Sequence, residues 1–261
     1  MLKTKPLEPL VPVVQIPKID LPTEDGIPLE TNWHRIQMNL LIDSVHYLWR
    51  GRSDFFTGGN MFIYFSFEQA RNRDYRGPDF FVVKGVDGSR DRGAWIVWEE
   101  DGRYPNVIVE LSSPSTIEVD LVTKRELYEQ TFRTPEYFCY NPDGNKLIGW
   151  KLANSHYAEL KPNDQGHLWC EELGVWMGHW EGEILRVNTT WLRFYTDDGE
   201  LVPTPAEAEA QRAEREAWRA KLEARRAEVE ARRAEKAEEE LARLRSLITE
   251  HGISEPEGST D

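Results

Sequence analysis

The chain has 261 residues, enough for one sizeable domain with an appendage or for two small domains. Aromatic residues occur through the first three quarters, whereas the chain from about Ala206 onward is almost entirely Ala, Glu and Arg, which indicates a globular body and a helical tail. The net charge of -14, with 21 basic against 31 acidic residues before Thr204, argues against a broadly basic nucleic-acid-binding surface, although not against a locally basic groove or a carboxylate cluster around a divalent metal.

Cysteine usage indicates a reducing compartment, and the apolar runs indicate neither a signal peptide nor a membrane span. Cys139 and Cys170 lie far apart without CxxC spacing, so neither a zinc site nor a disulfide framework is indicated. Lys3 and Lys5 precede alternating Pro, Leu and Val rather than the apolar core of a signal peptide, and no apolar run approaches the length of a membrane span. We expect a soluble cytoplasmic protein.

The first elements are an arm and a helix. Prolines recur every few residues up to Pro28, and because proline lacks an amide donor, residues 1–28 are predicted to form an extended arm. A helix is predicted from about Glu30 to Trp49, where apolar residues recur at spacings of three and four before Gly51.

Strand signatures follow the first helix. Residues 55–57 and 60–67 flank Gly58-Gly59 and predict a hairpin-like turn. Further runs rich in Val, Ile, Phe and Trp predict three strands, at 79–84, 94–99 and 106–111.

A second helix is predicted at 118–132, with Ser115 and Glu118 in capping-box spacing. Strands at 136–140 and 146–151 are separated by the turn signal Asn141-Pro142-Asp143-Gly144. Looser strand signatures follow at 157–160, at 176–180 and as a pair around Asp197-Asp198-Gly199. This order predicts an α/β fold, a mixed sheet flanked by helices.

The tail carries a heptad pattern. From Ala206 to Ala234, alanines step by alternating fours and threes, and Leu241 and Ile248 fall on the same register. Such a seam favours a coiled-coil contact with a second copy or another protein, but a solvated helix held by Glu and Arg pairs fits equally well. A long helix is therefore predicted over 204–250, followed by a disordered tail at 251–261.

Two acids stand at strand ends. Asp79 follows Arg76-Gly77-Pro78 and leads into an apolar strand, and Glu110 lies near the end of another apolar strand. A carboxylate so placed must be solvated, paired or metal-bound. Adjacent strands would bring the two acids together, and a Mg²⁺ ion there would relieve their repulsion and could polarise a phosphate.

A lysine follows on the predicted helix. Lys124 and Tyr128 are four residues apart and share a face, so an ammonium could lean over the same sheet edge and orient a water or stabilise charge on phosphorus. The structural alternatives are that Asp79 caps a strand, that Glu110 pairs with an arginine such as Arg76, and that Lys124 is a solvated helix residue.

The ordered motifs resemble a known family. Pro78-Asp79 with its apolar run, residues 109–116 (VELSSPST), Asp120, Lys124-x-x-x-Tyr128 and residues 135–138 (PEYF) together are similar to the bacterial restriction-endonuclease-like family often called Uma-two, a branch of the PD-(D/E)XK nuclease superfamily. The resemblance spans about Glu30 to Trp150. It implies a restriction endonuclease-like domain, here assigned to residues 29–203.

The resemblance also implies site roles. Asp79 and Glu110 would be the metal ligands, for Mg²⁺ or Mn²⁺, and Lys124 the catalytic lysine, because the usual lysine position after the second acid is Ser112 here. Glu30, four residues before His34, matches an additional ligand or water-positioning acid. Asn141 stands where the family usually has Asp, away from the expected centre.

Other chemistries find little support. The histidines show no HxH or HExxH spacing, and His34 is predicted to be a hydrogen-bonded helix residue rather than a ligand. Neither a nucleophile elbow nor a phosphate-binding loop motif occurs. Two functions remain open: a metal-dependent endonuclease acting on DNA, or an inactive nuclease fold that serves as an interaction module through its helical tail.

Overall fold

The computed structural model describes Leu21 and residues 31–72 and 76–250, except the side chain of Thr249. The predictions for the arm at 1–28, for Glu30 and for the tail at 251–261 therefore fall outside the described residues, apart from Leu21. The chain divides into two compact units, one up to Val202 and one from Pro203 onward.

The first unit alternates helical segments with short strands. Helix α1 spans Asn32–Leu48 and α2 spans Phe67–Asn72. The segment α3 (119–132) consists of π-helical turns Val119–Lys124 and Tyr128–Phe132 around one α-helical turn, Arg125–Leu127. The described strands are β1 Phe55–Gly58, β2 Ile63–Tyr64, β3 Phe80–Lys84, β4 Trp95–Ile96, β5 Val107–Leu111, β6 Glu136–Asn141, β7 Lys146–Ala153, β8 His156–Glu159, β9 Leu168–Cys170, β10 Val175–Ile184 and β11 Val187–Tyr195.

A six-stranded mixed sheet forms the centre, in the order β1-β3-β5-β6-β7-β8. Strands β5 and β6 are parallel and joined through α3, whereas the other neighbours are antiparallel. The predicted α/β class with a mixed sheet flanked by helices is confirmed.

Both faces of this sheet are buried, which explains the continuous apolar runs of β3 and β5. Alternate residues face opposite sides: Val107 and Val109 pack with Leu41 and Val45 of α1, together with residues of β9, β10 and β11. Ile108 packs on the other side with α3 and the small β2–β4 pair, through side chains that include Tyr128, Phe132, Ile63 and Trp95. By this two-residue period, Glu110 belongs to the face that α3 covers.

The predicted hairpin around Gly58-Gly59 is wrong. Strand β1 pairs with β3, and β2 pairs with β4 in parallel. The glycines are required by packing: a Cβ on Gly58 would lie 2.2 Å from the Phe81 ring, its cross-strand neighbour, and one on Gly59 would lie 2.7 Å from Met38 Sδ. Close approach, rather than a turn, explains these two glycines.

Several element boundaries also differ. The run at 94–99 forms only the two residues of β4 before a 3₁₀ turn at Val97–Glu99. Helix α2 and strand β9 were not predicted. The signal for α2 is the Ser66-x-x-Gln69 spacing, since the Gln69 N–H donates to Ser66 Oγ at 3.1 Å. At the start of α3, the predicted capping box of Ser115 and Glu118 is replaced by a hydrogen bond of 2.9 Å from the Ser113 N–H to Thr116 Oγ1.

The second unit is the helix α4, Pro205–Glu250. Its N-terminus has a capping box, in which the Glu207 N–H donates to Thr204 Oγ1 at 3.2 Å and the Thr204 N–H donates to Glu207 Oε2 at 2.7 Å. Pro205 takes the first helical position, where no amide donor is required. Among the described residues, no helix is both long enough and apolar enough to cross a membrane.

Candidate active site

The two predicted acids meet at the ends of two inner strands of the central sheet, where β3 begins and β5 ends. Strands β3 and β5 are antiparallel with Phe80 opposite Val109, so one further step of this register places Asp79 beside Glu110. The Leu111 N–H donates to Asp79 Oδ2 at 2.8 Å, which ties the carboxylate to the end of β5. Strand pairing therefore explains why acids 31 positions apart in sequence become neighbours.

Segment α3 holds both oxygens of the Glu110 carboxylate. The Tyr128 hydroxyl donates to Oε1 at 2.7 Å, and Lys124 Nζ lies 2.9 Å from Oε2. Glu110 and Tyr128 are fully buried, whereas the Lys124 side chain keeps 25% of its surface exposed. The four-residue spacing of Lys124 and Tyr128 thus brings both side chains to one carboxylate.

A third acid completes the cluster. Lys124 Nζ lies 2.8 Å from Asp120 Oδ1, one helical turn earlier, and the Ser112 hydroxyl donates to Asp120 Oδ2 at 2.9 Å. Ser112 and Asp120 are both buried. Ser112 therefore orients the acid that contacts Lys124. Asp120 was part of the family resemblance but was assigned no role, and its spacing of four from Lys124 is the signal that could have identified one.

Burial and the neighbouring charges shift the pKa values of this cluster, in which carboxylates outnumber the single ammonium. The pKa of Glu110 is raised to about 8, chiefly by burial; the charges of Asp79 and Asp120 also raise it, whereas Lys124 and the Tyr128 hydrogen bond lower it. Burial also raises the pKa of Asp79, although Lys124 and the Leu111 amide oppose that change. Burial by itself would lower the pKa of Lys124, but Glu110, Asp120 and Asp79 together raise it, so the lysine is a permanent cation.

His34 lies at the back of the site. Its Nε2 is 2.8 Å from the Leu111 carbonyl oxygen and its Nδ1 is 2.9 Å from Thr31 Oγ1, the residue that caps α1. The prediction of a hydrogen-bonded helix histidine is confirmed. Glu30 precedes the described part of α1, so its predicted role stays a prediction.

The cluster is rich in carboxylate oxygens, the ligand type that Mg²⁺ prefers. Glu110 and Asp120 contact the Lys124 ammonium, Asp79 lies beside Glu110, and Glu110 Oε2 is a buried oxygen without a well-aligned hydrogen bond. Within residues 31–72 and 76–250, no group of three His, Cys, Asp or Glu side chains is arranged to hold a metal. Asp79 and Glu110 are the two carboxylates that could bind a divalent cation here, with water or substrate oxygens completing its shell, as is usual for Mg²⁺.

The comparisons with known proteins agree with the order of the motifs. The sequence profile of the Uma2 (Uma-two) family, described as "Putative restriction endonuclease", matches residues 25–187. The chain belongs to the Uma2 family. Every described member of the cluster, Asp79, Glu110, Asp120, Lys124 and Tyr128, lies within the matched region.

Other comparisons add less to the Uma2 assignment. A crystal structure from Anabaena variabilis ATCC 29413, titled a putative nuclease belonging to DUF820, is 13% identical and matches 56% of this chain and 76% of that one, with a TM-score of 0.40. No curated protein matches the chain.

Proposed function

We propose that this protein is a metal-dependent endonuclease that hydrolyses DNA phosphodiester bonds. Asp79 and Glu110 hold a Mg²⁺ or Mn²⁺ ion, and Lys124 assists the attack of water on the phosphorus. The observation that carries the proposal is the contact of Lys124 with Glu110 beside Asp79, where β3 begins and β5 ends, in a member of a restriction-endonuclease family.

The bound ion would act as a Lewis acid on a phosphate oxygen and lower the pKa of a coordinated water. Asp79 is a partly exposed residue and the Lys124 side chain keeps part of its surface exposed, whereas Glu110 and Asp120 are buried, so substrate would approach from the side of Asp79 and Lys124. The two ligands come from adjacent strands of a buried sheet, which gives them little freedom to move apart.

Lys124 acts as a cation and not as a base, because its neighbouring carboxylates keep it protonated. A fixed ammonium at these strand ends can orient the attacking water and stabilise negative charge that develops on the phosphate oxygens. Asp120 serves as a positioning residue, since it contacts Lys124 at 2.8 Å and is itself oriented by Ser112.

A second function is an inactive nuclease fold that acts as an assembly module. Two observations favour it: Lys124 is already paired with two carboxylates, and Ser112 replaces the usual lysine. In this case α4 would mediate contacts with a second copy or a partner protein. The two functions make opposite predictions for DNA cleavage.

Purified protein incubated with supercoiled plasmid and Mg²⁺ or Mn²⁺ should produce open-circular and linear DNA, and EDTA should abolish the reaction. The variants Asp79→Asn and Glu110→Gln should lower cleavage at least about 100-fold, because each replaces a charged ligand by a neutral amide of the same shape. Gel densitometry over time measures the rates.

Matched controls separate ligand loss from general charge effects. Asp43→Asn on the exposed face of α1 and Glu159→Gln in β8 make the same chemical changes at exposed positions, and both should cut as fast as the wild type. Equal plasmid survival in the wild type, Asp79→Asn and Glu110→Gln would reject the enzyme and favour the assembly module.

A further inference from the structure

Helix α4 separates its charges onto two faces. At 100° per residue, one face between residues 211 and 236 carries eight basic side chains, and the acids Glu214 and Glu230 lie only at its two edges. We name this surface the arginine face; it consists of Arg212, Arg215, Arg219, Arg225, Arg226, Arg232, Arg233 and Lys236. Three apolar residues, Trp218, Leu222 and Val229, lie among these basic side chains on the same face. All of these side chains are exposed except Leu222, which is partly buried.

The opposite face carries the alanine seam and the acids. Glu209, Glu216, Glu223 and Glu230 recur at intervals of seven beside the seam, on the side next to the arginine face. On the other side of the seam stand Glu207, Glu214, Glu228 and Glu235, with Lys221 among them. Two copies joined along this seam would therefore bring rows of glutamates together, which disfavours self-association.

Most of the arginine face has no ion-pair partner in the part of the chain that the structure describes. Arg232 pairs with Glu228 at 2.7 Å, and Arg215 Nε donates to the Gln211 carbonyl oxygen at 3.1 Å. Within the described residues, Arg212, Arg219, Arg225, Arg226 and Arg233 form no ion pair. These guanidinium groups can therefore contact an external anion without first breaking an intramolecular pair.

We propose that the arginine face binds the phosphate backbone of duplex DNA and supplies the electrostatic affinity that the acidic first unit lacks. This inference rests on the proposed nuclease function, since the first unit has 31 acidic against 21 basic residues and would repel a polyanion. Arg212 to Arg233 span about 32 Å of helix, close to one turn of the duplex.

The composition of the face favours phosphate over other anions. Seven of its eight cations are arginines, whose planar fork binds phosphate oxygens in a bidentate manner. Rows at seven-residue intervals repeat the charge about every 10.5 Å along the axis, so several cations can bind phosphates of one strand at once. Affinity should therefore be insensitive to base sequence and steeply dependent on salt.

The test measures fluorescence anisotropy of a labelled duplex about three turns long, in EDTA so that cleavage cannot occur. The triple variant R219Q/R226Q/R233Q should bind at least about tenfold more weakly than the wild type at about 0.05 M salt. Between about 0.05 and 0.2 M salt, the slope of log affinity against log salt should become shallower by about 2.7, since each phosphate contact contributes about 0.9.

Two further variants serve as controls. E216Q/E223Q/E230Q removes three charges at the same spacing from the neighbouring acidic row and should bind equally or more tightly. R219K/R226K/R233K retains the charge and should keep most of the affinity, with a slope close to that of the wild type. All three keep good helix formers, and far-ultraviolet circular dichroism should show unchanged helix content.

The outcomes separate this inference from the proposed function. If the wild type does not cut plasmid, the proposed enzyme is rejected. If the wild type nevertheless binds the duplex and R219Q/R226Q/R233Q loses that binding, DNA binding by the arginine face is supported. Equal affinity and slope in the wild type and this variant overturn the inference, whatever the cleavage rate. The inference is also overturned if the variant binds the duplex normally but no longer forms a dimer in light scattering. It is overturned likewise if the variant binds the duplex normally but no longer binds anionic phosphatidylglycerol vesicles.

Discussion

Glu110 has an unusual environment for a carboxylate, because it is fully buried beside two other acids with only one ammonium in contact. Its pKa of about 8 means that the proton is retained near neutral pH when no metal is bound. A divalent cation would compete with that proton. Metal binding and pH are therefore expected to be linked at this residue.

The stability of the metal-free protein should fall as pH rises. The folded pKa of Glu110 is above its ordinary value of 4.5, so the folded state binds the proton more tightly. The resulting stability is fully present below about pH 4.5 and is lost as pH rises through about 8. In EDTA, the Tm of the wild type should decrease between about pH 6 and 9 more steeply than that of Glu110→Gln, measured by scanning calorimetry.

Mg²⁺ should reverse this trend, because it binds the ionised carboxylates. The rise in Tm on adding Mg²⁺ should be greater at high pH than at low pH for the wild type, and small at both for Glu110→Gln. Parallel Tm profiles for the two proteins in EDTA would contradict the raised pKa of Glu110.

Lys124 should contribute to both stability and turnover. Lys124→Met leaves Glu110 and Asp120 without their cation, which should cost about 2 kcal/mol of unfolding free energy, less than for a fully enclosed pair because the lysine is partly exposed. Plasmid cleavage should fall at least about 100-fold. Lys146→Met, an exposed lysine at the start of β7, is the control for urea denaturation and cleavage. Full activity in Lys124→Met would remove the lysine from the mechanism.

At the scale of elements, α1 is joined to β11 by one side chain. The fully buried Gln37 donates from Nε2 to the Leu192 carbonyl oxygen at 2.9 Å, and its Oε1 accepts from the Leu192 N–H at 2.8 Å. Strand β11 is an edge of the three-stranded sheet, so the amide pairs with backbone groups that no further strand meets. The glutamine therefore ties α1 to this sheet edge.

Gln37→Leu should destabilise the fold while leaving the catalytic cluster intact. The two Leu192 backbone groups would lose their partners in a buried place, which should cost about 2 to 3 kcal/mol and lower Tm by roughly 5 to 10 °C. Calorimetry measures this loss, and Gln130→Leu, at an exposed position of α3, should change Tm little. A Tm equal to that of the wild type would show that the double hydrogen bond contributes no net stability.

The elements that were predicted well are those in which local pattern and tertiary environment agree. The apolar runs of β3 and β5 became strands because both sheet faces are covered, and the three- and four-residue periodicity of α1 became a helix with one buried stripe. The pairing of β1 and β2 was mispredicted because Gly58-Gly59 has the local signature of a turn, whereas the glycines accommodate Phe81 and Met38. Contacts with residues distant in sequence decided this case.

At the scale of the whole molecule, both units are acidic, with 21 basic against 31 acidic residues in the first and 11 against 15 in the second, and the charge is distributed unevenly over their surfaces. The first unit places Glu110 and Asp120 against Lys124, and α4 carries the exposed arginine face beside its own glutamates. Composition by itself argued against nucleic-acid binding because a total count averages over these surfaces. Helical periodicity shows which charged residues share one face of α4, so a chain with a net negative charge can still present a strongly basic surface.

The sequence by itself determined the fold class and the family, and it predicted three residues that the structure brings close together, because strands, helices and ordered motifs depend on local composition and spacing. Asp79, Glu110 and Lys124 were identifiable from their positions at strand ends and on the following helix. Only the tertiary structure decided which groups hold them in place: Asp120 and Ser112 position Lys124, and Tyr128 holds Glu110. These contacts depend on the register of two strands and on how α3 packs against the sheet, which no local pattern specifies.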